Sequence, residues 1–155
     1  MSNFVEQRLA DAGYTLPEAL APIAAYVPTV LAGNLLHISG QVSFRDGAVV
    51  TGRLGDGMEV EAGQDAARLC GLMILAQIKK ALGGFERVER IVKLGVFVTS
   101  TPDFNRQPEV ANGASELMQL AFGEEIGRHA RSAVGVPALP RGAAVEIDAV
   151  VQVRA

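Results

Sequence analysis

The most regular alternation of apolar and polar positions lies at the end of the chain. Ala143, Val145, Ile147, Ala149, Val151 and Val153 share one parity, and Glu146, Asp148, Gln152 and Arg154 share the other. A period of two predicts a strand with one face on a core. The run ARSAVGV at 130–136 predicts a strand before it, joined through the loop PALPRG. RIVKLGVFVTS at 90–100 is apolar on both parities and predicts a strand inside the sheet. Earlier, YVPTVLAGNLLHISGQVSF holds two β-prone runs divided by Gly33-Asn34, a hairpin turn. Pro28, which has no N–H to donate, implies that the first of them lies at an edge or begins there. FRDGAVV repeats the signal, with Asp46-Gly47 as the turn and 48–50 as a short return strand.

Helical spacing governs the stretches between. Over 63–82, Ala66, Leu69, Cys70, Met73, Ala76, Ile78 and Leu82 recur near every third or fourth position, and Leu72 and Leu75 widen the stripe. This predicts a largely covered helix, stopped by Gly83-Gly84 in the left-handed conformation. A second helix is expected from about Pro108 to Phe122, with the proline tolerated in the first turn. Asn3 to Ala12 predicts a short helix ended by Gly13, its apolar side formed by Phe4, Val5 and Leu9. The order of elements implies an α+β domain with helices on one face of a mixed sheet.

Composition narrows the function. The chain has 155 residues, 49% hydrophobic and 20% charged, enough for one domain with a core that needs no metal or disulfide. One cysteine, Cys70, leaves no intrachain disulfide and suits a reducing cytoplasm. The N-terminus carries Glu6 and Asp11 without an apolar centre, so no secretory signal is expected. No apolar run approaches the roughly 20 residues that cross a bilayer. A net charge of −3 with scattered basic residues, Lys79-Lys80 being adjacent, argues against nucleic acid as a partner.

One residue stands out against this background. Arg131 heads a run of Ala, Val and Gly, and a guanidinium in such company needs an anion. If the strands at 130–136 and 143–153 pair antiparallel across PALPRG, Arg131 stands opposite Glu146 or Asp148, with Ala133 and Gly135 leaving space on the same face. A cation, a nearby acid and a floor of small side chains describe a pocket for a small anion. A surface salt bridge would use the same residues.

Other candidates carry less chemistry. His37 stands between apolar strand neighbours, and His129 precedes the Arg131 run and could border its pocket. Two histidines without matching Cys or carboxylate spacing form no recognisable metal site. Cys70 falls in the apolar helix stripe and reads as a buried thiol. Ser39 and Ser132 have no histidine beside them and no Gly-x-Ser-x-Gly setting. GRLGDG lacks the Gly-Lys-Ser/Thr ending of a phosphate loop and reads as a turn.

ISGQV (38–42), VFVTSTPDF (96–104) and ARSAVGVPALPRGAAVEIDAV (130–150), in this order, resemble the signatures of the RidA (YjgF/YER057c/UK114) family. The resemblance implies a chorismate-mutase-like fold, with a six-stranded sheet carrying two main helices on one face, to which the short N-terminal helix adds. It also implies a homotrimer with three clefts between subunits. The activity implied is cofactor-free hydrolysis of enamines and imines, such as 2-aminoacrylate, to a 2-keto acid and ammonia. Arg131 then holds the substrate carboxylate, and Glu146 positions water and relays a proton to the departing nitrogen. Tyr26, Ser39, Gly40, Gln41, Asn112 and the backbone of Ala133 line the cleft. No metal or organic cofactor is implied, and the partners are a small carboxylate substrate and other copies of the chain. Ala133 stands where many members have Cys, so thiol chemistry at that position is absent. An extension at 1–16 and the longer SFRDGAVVTGRLGDG segment resemble a longer subgroup. Two further functions fit the family: a trimer that binds small carboxylates without turning them over, and an endoribonuclease that inhibits translation.

Overall fold

The computed structural model describes residues 2–155. Its elements are α1 (Ser2–Asp11), β1 (Thr29–Ala32), β2 (Leu35–Val42), β3 (Phe44–Arg45), β4 (Ala48–Val49), α2 (Val60–Leu82), β5 (Val88–Thr99), α3 (Gln107–Gly127), β6 (Ala130–Val136) and β7 (Val145–Val153). Five strands form the main sheet in the order β1-β2-β7-β5-β6, and β3 with β4 makes a separate hairpin. The class is the expected α+β one, but the sheet has five strands rather than six. The reason is local. Asp46 and Gly47 both take positive φ, 53° and 81°, closing a tight turn after two residues of pairing. The root of that hairpin bonds the start of β7 through Ser43 and Val50, and its tip leaves the sheet.

The edge position of β1 and the Gly33-Asn34 hairpin are as the sequence predicts, with Thr29 opposite Ile38. The two main helices run longer than expected. The first begins at Val60, and the second continues past a break at Gly123, where φ is 82°. α2 is buried along the whole run Gly71–Ile78, because the sheet, α3 and the segment around Leu20 cover different sides of it. α1 adds Val5 and Leu9 to the same core and docks on α3, where Arg8 Nη1 donates to the Ala121 carbonyl at 3.0 Å.

The strand pairing departs from expectation at the place that matters most. β6 does not pair with β7. It runs parallel to β5, with Leu94 opposite Arg131, and β7 lies between β2 and β5, antiparallel to both. The physical cause is α3: a helix that joins two adjacent strands carries the second in the same direction as the first. β6 therefore becomes an edge. The alternation of β7 is as predicted, with Val145, Ile147, Ala149, Val151 and Val153 turned to the helices. In β6 the two faces are exchanged relative to the expectation. Arg131 shares its row with the buried Leu94 and Ala149 on the helix side, whereas Val134, 48% exposed, lies in the row of Phe97 and Glu146 on the open face.

α2 and α3 cross closely through two glycines. A methyl on Gly71 would press on the Leu117 side chain, and one on Gly113 would run into the Gln64 carbonyl, which cannot swing aside. Gly113→Ala is therefore expected to cost about 1–3 kcal/mol by overpacking. At about 2–4 °C per kcal/mol, that is a visible drop in a thermal melt. A melting temperature equal to the wild type would contradict the tight crossing.

Candidate functional site

Arg131 is half-buried on the edge strand, and α3 supplies everything it touches. Asn112 and Ser115 stand three residues apart, on one face of the helix. Arg131 Nη1 donates to Asn112 Oδ1 at 2.9 Å and to Ser115 Oγ at 3.1 Å, while Nη2 donates to the Pro108 carbonyl at 3.3 Å. All three acceptors are neutral. They fix the plane of the guanidinium and leave its charge uncompensated. Among the described residues the ion pairs are Arg68–Asp65, Lys79–Glu6 and Arg106–Glu109, and Arg131 belongs to none of them. A guanidinium has five N–H donors. Three are used here, so Nε–H and one Nη2 proton stay available, and such a pair grips a carboxylate in bidentate fashion. Ala133, two residues on, packs against the core on the same side of the sheet.

Behind Asn112 and Ser115 lies a histidine. His129 Nε2 is 2.8 Å from Ser115 Oγ, and its Nδ1 is 2.7 Å from the Gly127 carbonyl. Burial, and to a smaller degree the Arg131 charge, lower the affinity of the ring for a second proton, against the opposing pull of the Gly127 carbonyl. Ser115 was absent from the sequence-predicted set. Its spacing from Asn112 on one helix was a usable signal, but the pairing of that helix with His129 was not.

A second cluster forms on the other side. A cavity of about 200 Å³ is lined by Tyr26, Gly40, Gln41, Met73, Arg141 and Glu146, among others. Gly40 sits at a register shift in β2, and a Cβ there would collide with the Glu146 carboxylate, so only glycine admits the acid at this spot. Gln41 is nearly buried; its Nε2 donates to the Ser39 carbonyl at 2.9 Å, and its Oε1 accepts from Gln77 Nε2 at 3.3 Å. Ser39 is not in this cavity. Its hydroxyl donates to the Val27 carbonyl at 2.9 Å, tying down the segment that carries Tyr26, and it lines the neighbouring depression on the open sheet face. Tyr26 is 49% exposed at the cavity rim. Burial, then the neighbouring Asp148, hold the Glu146 carboxyl above the usual carboxylate range; burial does the same to Asp148, opposed by a Gly95 backbone bond and Lys93. A carboxyl raised in this way exchanges protons nearer to neutral pH.

The eight sequence-predicted residues thus separate into two groups. Arg131, Asn112 and Ala133 lie with α3, and Tyr26, Ser39, Gly40, Gln41 and Glu146 lie around β2, with Gln41 turned toward Gln77 of α2. The expected cross-strand pairing of Arg131 with Glu146 does not occur within the chain, because β5 separates their strands and they point to opposite faces. Among the described residues no three of His, Cys, Asp and Glu gather closely enough to share a metal ion, and no helix is long and apolar enough to cross a membrane.

A five-stranded sheet with two long helices on one face, an arginine without an ion-pair partner at its edge and a raised carboxyl on its open side describe the chain. The family model described as Endoribonuclease L-PSP matches residues 16–153. The chain belongs to this family, the RidA/YjgF family. It is 52% identical over 152 residues to Protein TCP17 of Trypanosoma cruzi, covering 97% of this chain and 95% of that one. It is 31% identical over 137 residues to a 2-iminobutanoate/2-iminopropanoate deaminase of Dermatophagoides farinae, covering 87% and 91%. Among solved structures it is similar to Atu1372 of Agrobacterium tumefaciens, a protein of unknown function, at 47% identity and a TM-score of 0.92, covering 99% and 94%.

The raised Glu146 carboxyl has a thermodynamic signature. A group whose folded pKa lies above its unfolded one contributes stability that is present below the unfolded value and lost as pH rises through the folded one. Glu146→Gln has no charge to bury. It is expected to melt higher than the wild type at about pH 8 and close to it near pH 4, where the wild-type carboxyl is largely protonated. A lower melting temperature than wild type at the higher pH would contradict the assignment.

Proposed function

We propose that the protein is a cofactor-free deaminase that hydrolyses reactive enamines and imines of small amino acids to 2-keto acids and ammonia. The observation that carries this reading is the state of Arg131: rigidly held by neutral acceptors, charged, and with a carboxylate-binding edge still open. The deaminase name of the relative from Dermatophagoides farinae supports the same reaction class.

The reading requires a second chain. In a cyclic homotrimer, the β6 edge of one subunit meets the Glu146 cavity of the next, so that each cleft takes its anchor from one chain and its acid from another. Arg131 binds the substrate carboxylate. Glu146 takes a proton from a water whose oxygen adds to the imine carbon. The same carboxyl returns that proton to nitrogen, giving a carbinolamine; it then passes the carbinolamine hydroxyl proton to the nitrogen as the C–N bond breaks, so that ammonia leaves and the carbonyl forms. Tyr26 and Gly40 shape the wall around the reacting carbon. The setting is the cytoplasm, where such intermediates arise and where a single thiol stays reduced.

The test generates short-lived imines with an amino-acid oxidase and traps what survives with semicarbazide. Wild-type protein is expected to lower the trapped fraction. Arg131→Ala should abolish the effect, and Glu146→Gln should reduce turnover by about 10²-fold or more, as loss of a general acid–base does. Equal trapping with wild type and Arg131→Ala would overturn the enzyme reading. Retained binding of 2-keto acids without turnover would instead favour a carboxylate-binding trimer.

A further inference from the structure

The direction of the hydrogen bonds behind Arg131 follows from one backbone carbonyl. Gly127 O can only accept, so His129 Nδ1 carries the proton that bridges their 2.7 Å separation. The ring is neutral, since burial and the Arg131 charge both oppose a second proton. Nε2 is then a bare acceptor, and the hydroxyl 2.8 Å away must give it the Ser115 proton. With its single proton committed to His129, Ser115 Oγ presents a lone pair to Arg131, which donates to it at 3.1 Å. Gly127 is itself fixed: a side chain there would run into the Met118 carbonyl. The chain Gly127 O, His129, Ser115, Arg131 therefore has one allowed polarity.

Nothing in this arrangement makes Ser115 a nucleophile. It is 8% exposed, and the lone pair facing Arg131 is occupied. Its use lies elsewhere. Asn112 and Ser115 together consume both protons of Nη1, which forces Nε–H and the remaining Nη2 proton to be the edge offered outward. Without the Ser115 acceptor, Nη1 has one proton unpaired, and the guanidinium can rotate to offer an end-on, single-point contact instead.

We infer that Ser115 and His129 are positioning residues that aim the Arg131 fork and so make the site selective for a carboxylate over a neutral group of the same shape. The inference rests on Arg131 being the carboxylate anchor, and it names how the anchor acquires its selectivity. It does not depend on turnover, so its test reads binding.

The experiment titrates 2-oxobutanoate and the neutral 2-oxobutanamide into the full-length protein by calorimetry or NMR. Wild type is expected to prefer the acid. Ser115→Ala and His129→Ala should each weaken 2-oxobutanoate about 5- to 10-fold, the scale of one ordinary hydrogen bond, and leave 2-oxobutanamide within about twofold. His129→Gln, whose amide oxygen can accept from the Ser115 hydroxyl, should recover most of the affinity for the acid. Loss of both ligands together would mark a purely structural role and overturn the inference. So would unchanged acid affinity in Ser115→Ala, or a wild type that does not bind the acid at all. A wild type that binds the acid with this pattern but hydrolyses no imine would leave the inference standing and remove the deaminase reading.

Discussion

The parallel pairing of β6 with β5 decides what the rest of the molecule can do. Because Leu94 lies opposite both Arg131 and Ala149, the arginine must face the helices, and Glu146, three rows further on opposite Phe97, must face away from them. One sheet, about one side chain thick on each face, then separates the two groups that the proposed chemistry needs together. No rotamer change brings them into contact. Under the proposed function, a single protomer holds the arginine without the acid on one side and the acid without the arginine on the other.

On the helix side, Asn112, Ser115 and the Pro108 carbonyl orient a cation without neutralising it, at the exposed margin of the sheet where an anion can approach. On the open side, Glu146 is drawn up by burial and by Asp148, and its carboxylate occupies the space that a Cβ on Gly40 would take. Bringing a second charge of opposite sign to either half would relieve it, which is the electrostatic rationale for the proposed assembly. The apolar residues that remain uncovered, Ile23, Val27, Val30 and Val134 among them, are the surface such an assembly would remove from water.

Much of this was legible in the chain. The Gly33-Asn34 hairpin, the covered helix ending at Gly83 and the alternation of β7 each follow from local rules that tertiary contacts do not reverse. Periodicity also told which residues of 130–136 share a face, but not which face meets the core, since ARSAVGV offers small apolar residues on both parities. Its neighbour was equally open. Proximity in sequence favoured β7 across a short loop, whereas α3 had already delivered β6 alongside β5. The sequence suggests Arg131 and Glu146 as an intrachain pair, and the placement of β5 between their strands rules that pairing out. Ser115 escaped, and His129 is legible only as a residue that could border the pocket, because their contact depends on the break at Gly123 and the close turn at Gly127, neither of which has a periodic signature.

The central claim is that the anchor and the acid of one cleft belong to different chains. Subunits carrying Arg131→Ala and subunits carrying Glu146→Gln, each inactive alone, should therefore regain activity when co-assembled. Roughly a quarter of wild-type imine hydrolysis is expected from an equal mixture, because about three in four random trimers are mixed and each holds one intact cleft of three. A mixture as inactive as its parents, with mixed trimers demonstrably formed, would show that the site is not shared.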